Sequence, residues 1–191
     1  MINHKYKFIF VRVAKTASTS ILEILPNPKH LCKNWKHDCM HIPMWHLKAN
    51  LDKNICDTYF KFAFVRNPFA RAVSIATYWN AWSSCRGGPV FKFKDFFVGQ
   101  LPEKVNSIQF LSKYGLQYDF TKGCDFIGKV ENLQEDFNII CDKIGIPQQK
   151  LPHRNKRNHK SYTEYYDDET RQIVAEKYAK DIEYFGYEFG K

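Results

Sequence analysis

Val11-Arg12-Val13-Ala14-Lys15-Thr16-Ala17-Ser18-Thr19-Ser20 joins two patterns of different period. Upstream, Lys7 to Val13 is dense in β-branched and aromatic residues and reads as a strand. Downstream, Ser20 to Leu25 opens a helix that stops at Pro26. The connecting segment, Lys15 to Ser20, is small and polar. It therefore lies at the carboxyl end of a strand and the amino end of a helix. Backbone N–H groups converge at such a point, and the helix dipole adds partial positive charge. Lys15 and the hydroxyls of Thr16, Ser18, Thr19 and Ser20 supply further donors. The physics is that of a cradle for a phosphate or a sulfate. It is not a Walker A loop, because both glycines and the Gly-Lys-Ser/Thr ending are missing. Taken alone, the same segment reads equally well as a polar helix cap beside a surface lysine.

The order strand, loop, helix then repeats. Tyr59 to Val65 is a near-continuous apolar run, as in a strand covered on both faces. Asn67 is a good N-cap, Pro68 suits the first helical position, and Phe69 to Trp82 has helical length. A third strand-like run, Cys124 to Val130, leads through Glu131-Asn132 into a helix reaching Ile144 and ended by Gly145 and Pro147. A last helix is predicted from Asp168 to Tyr184, with Val174, Tyr178, Ile182 and Phe185 on one face. Alternating strands and helices predict an α/β fold, with a central parallel sheet flanked by helices. Ligands of such sheets bind beyond the carboxyl ends of the strands, where Lys15 to Ser20 and Arg66-Asn67 both fall.

Length and composition bound the rest. A chain of 191 residues, 44% hydrophobic and 16% aromatic, is long and apolar enough to fold as one domain over residues 1–191. No apolar run is long enough to span a bilayer, and the amino-terminal residues lack the pattern of a secretory signal, so a cytoplasmic protein without a membrane span is expected. The net charge of +9 suits an anionic partner without naming it. The six cysteines are scattered, with no CxxC pair, and are expected to be free thiols. The cluster Cys32, His37, Asp38, Cys39, His41 and His46 lacks the paired spacing of zinc ligands, so no metal is expected.

Arg66 closes the second strand, and Ser74 follows about two helical turns later. An arginine there is suited to bidentate phosphate binding, although a surface ion pair is the plainer alternative. Ser74 by itself reads as a helix hydroxyl bonded to its own backbone.

Together these segments resemble the carbohydrate sulfotransferases, including the heparan and uronyl 2-O-sulfotransferases. Val11 to Ser20 resembles their 5'-phosphosulfate motif. Phe62-Ala63-Phe64-Val65-Arg66-Asn67-Pro68-Phe69-Ala70-Arg71-Ala72-Val73-Ser74 resembles their 3'-phosphate motif. Phe126 to Leu133 is similar to the third block of that family. Tyr165 to Thr170 with Asp181 to Tyr187 is similar to its carboxyl-terminal helix. The blocks stand in family order and span most of the chain. The resemblance implies a P-loop-like domain and sulfuryl transfer from 3'-phosphoadenosine 5'-phosphosulfate (PAPS) to a hydroxyl, leaving PAP. It implies that the loop Lys15-Thr16-Ala17-Ser18-Thr19-Ser20 holds the phosphosulfate, and that Arg66 and Ser74 hold the 3'-phosphate. Relatives often carry Pro at position 14, Gly at position 18 and Arg at position 129, where this chain has Ala14, Ser18 and Lys129. A loop without glycine predicts ordinary backbone angles throughout.

Such transfer calls for a base, and histidine is the usual one near neutral pH. His37, His41 and His46 compete for the role. In similar proteins a histidine precedes the second motif at about the spacing of His41 from Arg66, which selects His41 with His37 as runner-up. Lys15 then has a second role, stabilising the bridging oxygen as the S–O bond breaks. The run from Lys150 to Lys160 has five Lys and Arg residues and no acid. It reads as a solvated loop or, by its place in the family order, as a lid in which Arg154, Lys156 and Arg157 contact PAPS or an acidic acceptor. The segment from Ser83 to Gln109 is assigned to the acceptor. Trp79 and Trp82 either stack on a sugar or belong to the core. The expected acceptor is a sugar or small metabolite bearing a hydroxyl, not nucleic acid. A nucleotide-dependent kinase and a non-catalytic anion-binding protein are the alternatives.

Overall fold

The computed structural model describes residues 1–26, 41–97, 114–152 and 160–191. The chain divides into two compact units, Met1–Arg66 with Gln117–Lys156, and Asn67–Leu116 with Arg157–Lys191.

The first unit is built on a four-stranded sheet in sequential order: β1 (Ile2–Asn3), β2 (Phe8–Val11), β3 (Phe60–Val65) and β4 (Phe126–Lys129). β2, β3 and β4 are parallel, with Phe10 opposite Phe62 and Phe62 opposite Phe126. The short edge strand β1 runs antiparallel to β2 and was not apparent from the sequence pattern. The sheet is thus mostly parallel, within a mixed α/β unit.

Period-two alternation divides the strand side chains between two cores. Phe8, Phe10, Phe62 and Phe64 point to one face. They pack there with Ile21 of α1 (Ser18–Ile24) and with Phe137, Ile140 and Ile144 of α6 (Leu133–Ile144). Ile9, Val11 and Ala63 point to the other. They meet Met44 and Leu47 of α2 (Met44–Asn50) and Phe120 of α5 (Gln117–Thr121). Each of the four phenylalanines is fully buried, contributing roughly 1.5–3 kcal/mol. This two-sided burial explains why β3 reads as a continuous apolar run, apart from Lys61. The Lys61 ammonium is buried but bonded to the Cys56 and Tyr59 carbonyls, and it pairs with Asp125 at 2.9 Å. α3 (Lys53–Thr58) precedes β3 and is capped by the Asp52 side chain.

Gly128 is dictated by packing. A Cβ at this position would lie 2.5 Å from the Phe64 ring on the adjacent strand. Gly145, at φ 71°, ends α6 in the left-handed conformation, as its place in the sequence predicts.

The second unit contains α4 (Pro68–Ser84), α7 (Asp168–Lys177) and α8 (Ala179–Phe185). Asn67 caps α4 by accepting from the Phe69 N–H, and Pro68 occupies the first turn, as predicted. The Asn67 amide also donates to the Glu188 and Lys191 carbonyls, so one side chain ties the start of α4 to the last residues. Arg71, 1% exposed, donates to the Gly115 carbonyl and lies 5.8 Å over the Tyr178 ring. Burial lowers its pKa, while Tyr178 and Asp181 act in the opposite sense. The carboxyl-terminal helix predicted as one piece is interrupted at Tyr178 (φ −113°, ψ 22°), whose hydroxyl donates to the Tyr114 carbonyl. Val174 and Tyr178 are buried as the helical spacing requires. Among the described residues no helix is long and apolar enough to cross a membrane. Cys56, Cys85, Cys124 and Cys141 are free thiols, and burial pushes Cys124 up to about 12.

Candidate functional site

The parallel arrangement of β2, β3 and β4 brings their carboxyl ends to one edge of the sheet. Lys15 follows β2, Arg66 follows β3, and Lys129 is the last residue of β4. Three cationic side chains thus belong to one strand-end edge of the first unit, where an open α/β sheet takes its ligands.

The loop after β2 departs from the sequence expectation. Lys15 and Ala17 both adopt positive φ, 69° and 58°. The expectation of ordinary angles throughout a glycine-free loop is therefore corrected. Left-handed geometry is imposed on two residues with side chains, at roughly 1–2 kcal/mol each. Ser18, where relatives often carry glycine, is already the first residue of α1 and needs no such freedom. The loop is held from within: the buried Thr16 hydroxyl donates to the Val13 carbonyl at 3.0 Å. The first bond of α1 is Ile21 N–H to Ala17 C=O. The N–H groups of Ser18, Thr19 and Ser20 thus precede the helical ladder. No side chain caps α1, and its first turn carries no acid. Among the described residues, no side-chain hydrogen bond engages the hydroxyls of Ser18, Thr19 or Ser20. The donor set therefore suits an anion, and a phosphosulfate has the charge and acceptor oxygens to fit it. Lys15 and Ala17 are half-buried, Ser18 and Ser20 buried, and Thr19 exposed.

His41 is brought to the root of this loop. Its Nδ1 lies 3.0 Å from the Arg12 carbonyl oxygen. A carbonyl only accepts, so Nδ1 carries the proton, and in the neutral ring the lone pair is on Nε2. His46 lies on α2, edge-on to Trp45. His37 is outside the described residues, as are Cys32, Asp38 and Cys39 of the histidine–cysteine cluster and Arg154, Lys156 and Arg157 of the basic run.

Arg66 is half-buried and lies one residue beyond the last ladder pair of β3, Val65 with Lys129. Its N–H donates to Gln117 Oε1 at 2.9 Å, and its carbonyl accepts from Gln117 Nε2 at 2.8 Å. Sequence reasoning missed Gln117. No local pattern marks a contact across 51 residues. The Lys129 N–H is held by the Asp136 carboxylate at the start of α6. Ser74 belongs to the second unit, half-buried on α4. In that unit Trp79 is half-buried, 5.2 Å from Trp82. Trp82 is 43% exposed, with the Arg86 guanidinium 4.3 Å over its ring.

Comparison with known proteins agrees with this picture. Carbohydrate sulfotransferase 9 of Homo sapiens is 28% identical, over 95% of this chain and 47% of its own. Carbohydrate sulfotransferase 14 of Danio rerio is 27% identical, over 68% and 44% respectively. An uncharacterized protein of Archaeoglobus fulgidus is 28% identical over 56% of this chain and 86% of its own length. The chain thus spans about half the length of the two carbohydrate sulfotransferases. No solved structure matches at comparable significance. The sequence profile of the sulfotransferase family matches residues 1–188 and so takes in the β2–α1 loop, His41, Arg66 and α4. The chain belongs to the sulfotransferase family.

Proposed function

We propose that this protein transfers a sulfuryl group from PAPS to a hydroxyl of a carbohydrate or glycan-like acceptor. The observation that carries the reading is the His41 Nδ1 contact with the Arg12 carbonyl. It sets an imidazole of defined tautomer beside the start of the anion loop.

In this reading PAPS supplies an activated sulfuryl group on a phosphate leaving group. The chain's own residues do the rest. Lys15, the hydroxyls of Ser18, Thr19 and Ser20, and the leading N–H groups of α1 hold the phosphosulfate. Thr16 keeps its hydroxyl on Val13 and contributes through its backbone. Ala17 contributes conformation, turning the chain into α1. Arg66 takes the 3'-phosphate, and the resemblance gives Ser74 the same role. Arg154, Lys156 and Arg157 serve the donor or an acidic acceptor.

His41 Nε2 accepts the acceptor's hydroxyl proton as the new O–S bond forms and the S–O bond to the phosphate breaks. Nδ1–H remains on the Arg12 carbonyl, which steadies the ring as it becomes an imidazolium. Lys15 offsets the charge that develops on the departing phosphate. The names of the two carbohydrate sulfotransferases support a sugar acceptor.

The test is an acceptor screen with labelled PAPS, followed by His41→Ala on the best acceptor. Loss of the base is expected to lower turnover by about 10²–10⁴-fold with PAP affinity retained. Transfer at the wild-type rate by His41→Ala would assign the base elsewhere.

A further inference from the structure

We infer that Gln117 is a positioning residue for the donor site: its carboxamide extends β3 by one residue and thereby aims Arg66. The inference rests on the proposed role of Arg66 at the 3'-phosphate.

The geometry is that of a strand pairing made by a side chain. β3 has a hydrogen-bonded neighbour through Val65, opposite Lys129. Arg66 lies beyond that pair. Gln117 Oε1 receives its N–H at 2.9 Å, and Gln117 Nε2 donates to its carbonyl at 2.8 Å. Both polar groups of one residue can meet one carboxamide only if they point the same way, as in an extended residue paired across a ladder. Gln117 is itself fully buried, and its own carbonyl accepts from the Thr121 hydroxyl at 3.0 Å. It is therefore a fixed template rather than a surface side chain that happens to touch the backbone.

The consequence is directional. In an extended chain, side chains alternate between faces. Phe62 and Phe64 share the face on which α1 packs, whereas Ala63 belongs to the opposite core. Extending the strand by one residue gives Arg66 the face of Phe62 and Phe64. That is the face carrying α1, whose first turn holds Ser18, Thr19 and Ser20. If Arg66 were released from the extended conformation, the alternation would no longer fix the face of its side chain. Buried polar groups at a strand end also need partners for stability alone. The two roles separate in ligand selectivity, because loss of stability alone weakens all nucleotides alike.

The experiment is calorimetric titration of PAP and of adenosine 5'-monophosphate (AMP), which lacks only the 3'-phosphate. The proteins are wild type, Arg66→Ala, Gln117→Met and the double variant. Gln117→Met preserves volume and removes both hydrogen bonds. We expect Arg66→Ala to abolish most of the preference for PAP over AMP. Gln117→Met should lower that preference about tenfold, the scale of a hydrogen bond to a charged group, while AMP affinity changes by less than about twofold. The double variant should be no worse than Arg66→Ala. Gln117→Glu keeps the acceptor for the Arg66 N–H and loses the donor. It is the second variant should Gln117→Met not fold, and an intermediate preference is expected. If Arg66→Ala loses the preference and the Gln117 variants keep it, the inference is overturned and the donor reading stands. If Arg66→Ala itself keeps the preference, both are overturned.

Discussion

Replacing Ala17 by glycine should stabilise this protein, although glycine weakens a helix interior. Ala17 sits at φ 58°, ψ 16°, in the left-handed region, as the residue that precedes α1. The Cβ clash with the neighbouring carbonyl costs an L-residue there roughly 1–2 kcal/mol. Glycine removes the clash and adds roughly 0.5–1 kcal/mol of backbone entropy to the cost of folding. The difference spans about 0–1.5 kcal/mol, with a central net gain of about 0.75 kcal/mol for Ala17→Gly. For a chain of this size that corresponds to a rise in Tm of about 1–4 °C. Urea denaturation gives the free energy directly, and a thermal melt gives the shift. Ser18→Gly is the control. Ser18 is the first residue of α1, so glycine there should cost about 0.5 kcal/mol. A loss of about 1 kcal/mol or more in Ala17→Gly would mean that residue 17 has ordinary negative φ and that no left-handed cost is relieved there. The same result would remove the account of how a loop without glycine turns from β2 into α1.

Three further outcomes test the packing and capping on which the two units depend. Asn67→Ala removes the α4 cap and the donor to the Glu188 and Lys191 carbonyls. Equilibrium unfolding should show a loss of about 1–2 kcal/mol, with Asn67→Asp, which keeps the cap oxygen, losing less. Gly128→Ala forces a methyl to within 2.5 Å of the Phe64 ring and should cost about 1–3 kcal/mol; a variant as stable as wild type would contradict the β3–β4 packing. Asp167 caps α7 and is bonded to Thr170, which holds its carboxyl below the usual value of 3.8. A folded-state pKa below the unfolded one gives stability that is present above pH 3.8 and is lost as pH falls through the folded value. Asp167→Asn should therefore flatten the acid side of the stability profile below about pH 4 and leave the slope near neutrality unchanged.

Much of this was legible in the sequence because it depends on local chemistry. Two-sided burial made β3 read as an apolar run. Asn67-Pro68 marked the start of α4, and Gly145 marked the end of α6, because caps and left-handed stops need particular residues. Lys15 and Arg66 fell at strand ends once the strands were placed. What was not legible depends on contacts that no local pattern marks. β1 has only two residues, and its pairing with β2 supplies the definition its composition lacks. The helix break at Tyr178 coincides with a hydroxyl bond to Tyr114, 64 residues away. The His41 tie to Arg12 spans 29 residues, and the Gln117 clamp spans 51. Positive φ at Lys15 and Ala17 was hidden for another reason: residue type advertises such angles only when glycine or asparagine supplies them.

The most direct test of the proposed donor site is binding of PAP against AMP to the wild-type protein, read by thermal shift and by calorimetry. The expected result is that PAP stabilises the fold and binds at least about tenfold more tightly than AMP, since Arg66 meets a phosphate that only PAP carries. Equal binding of the two nucleotides would contradict it.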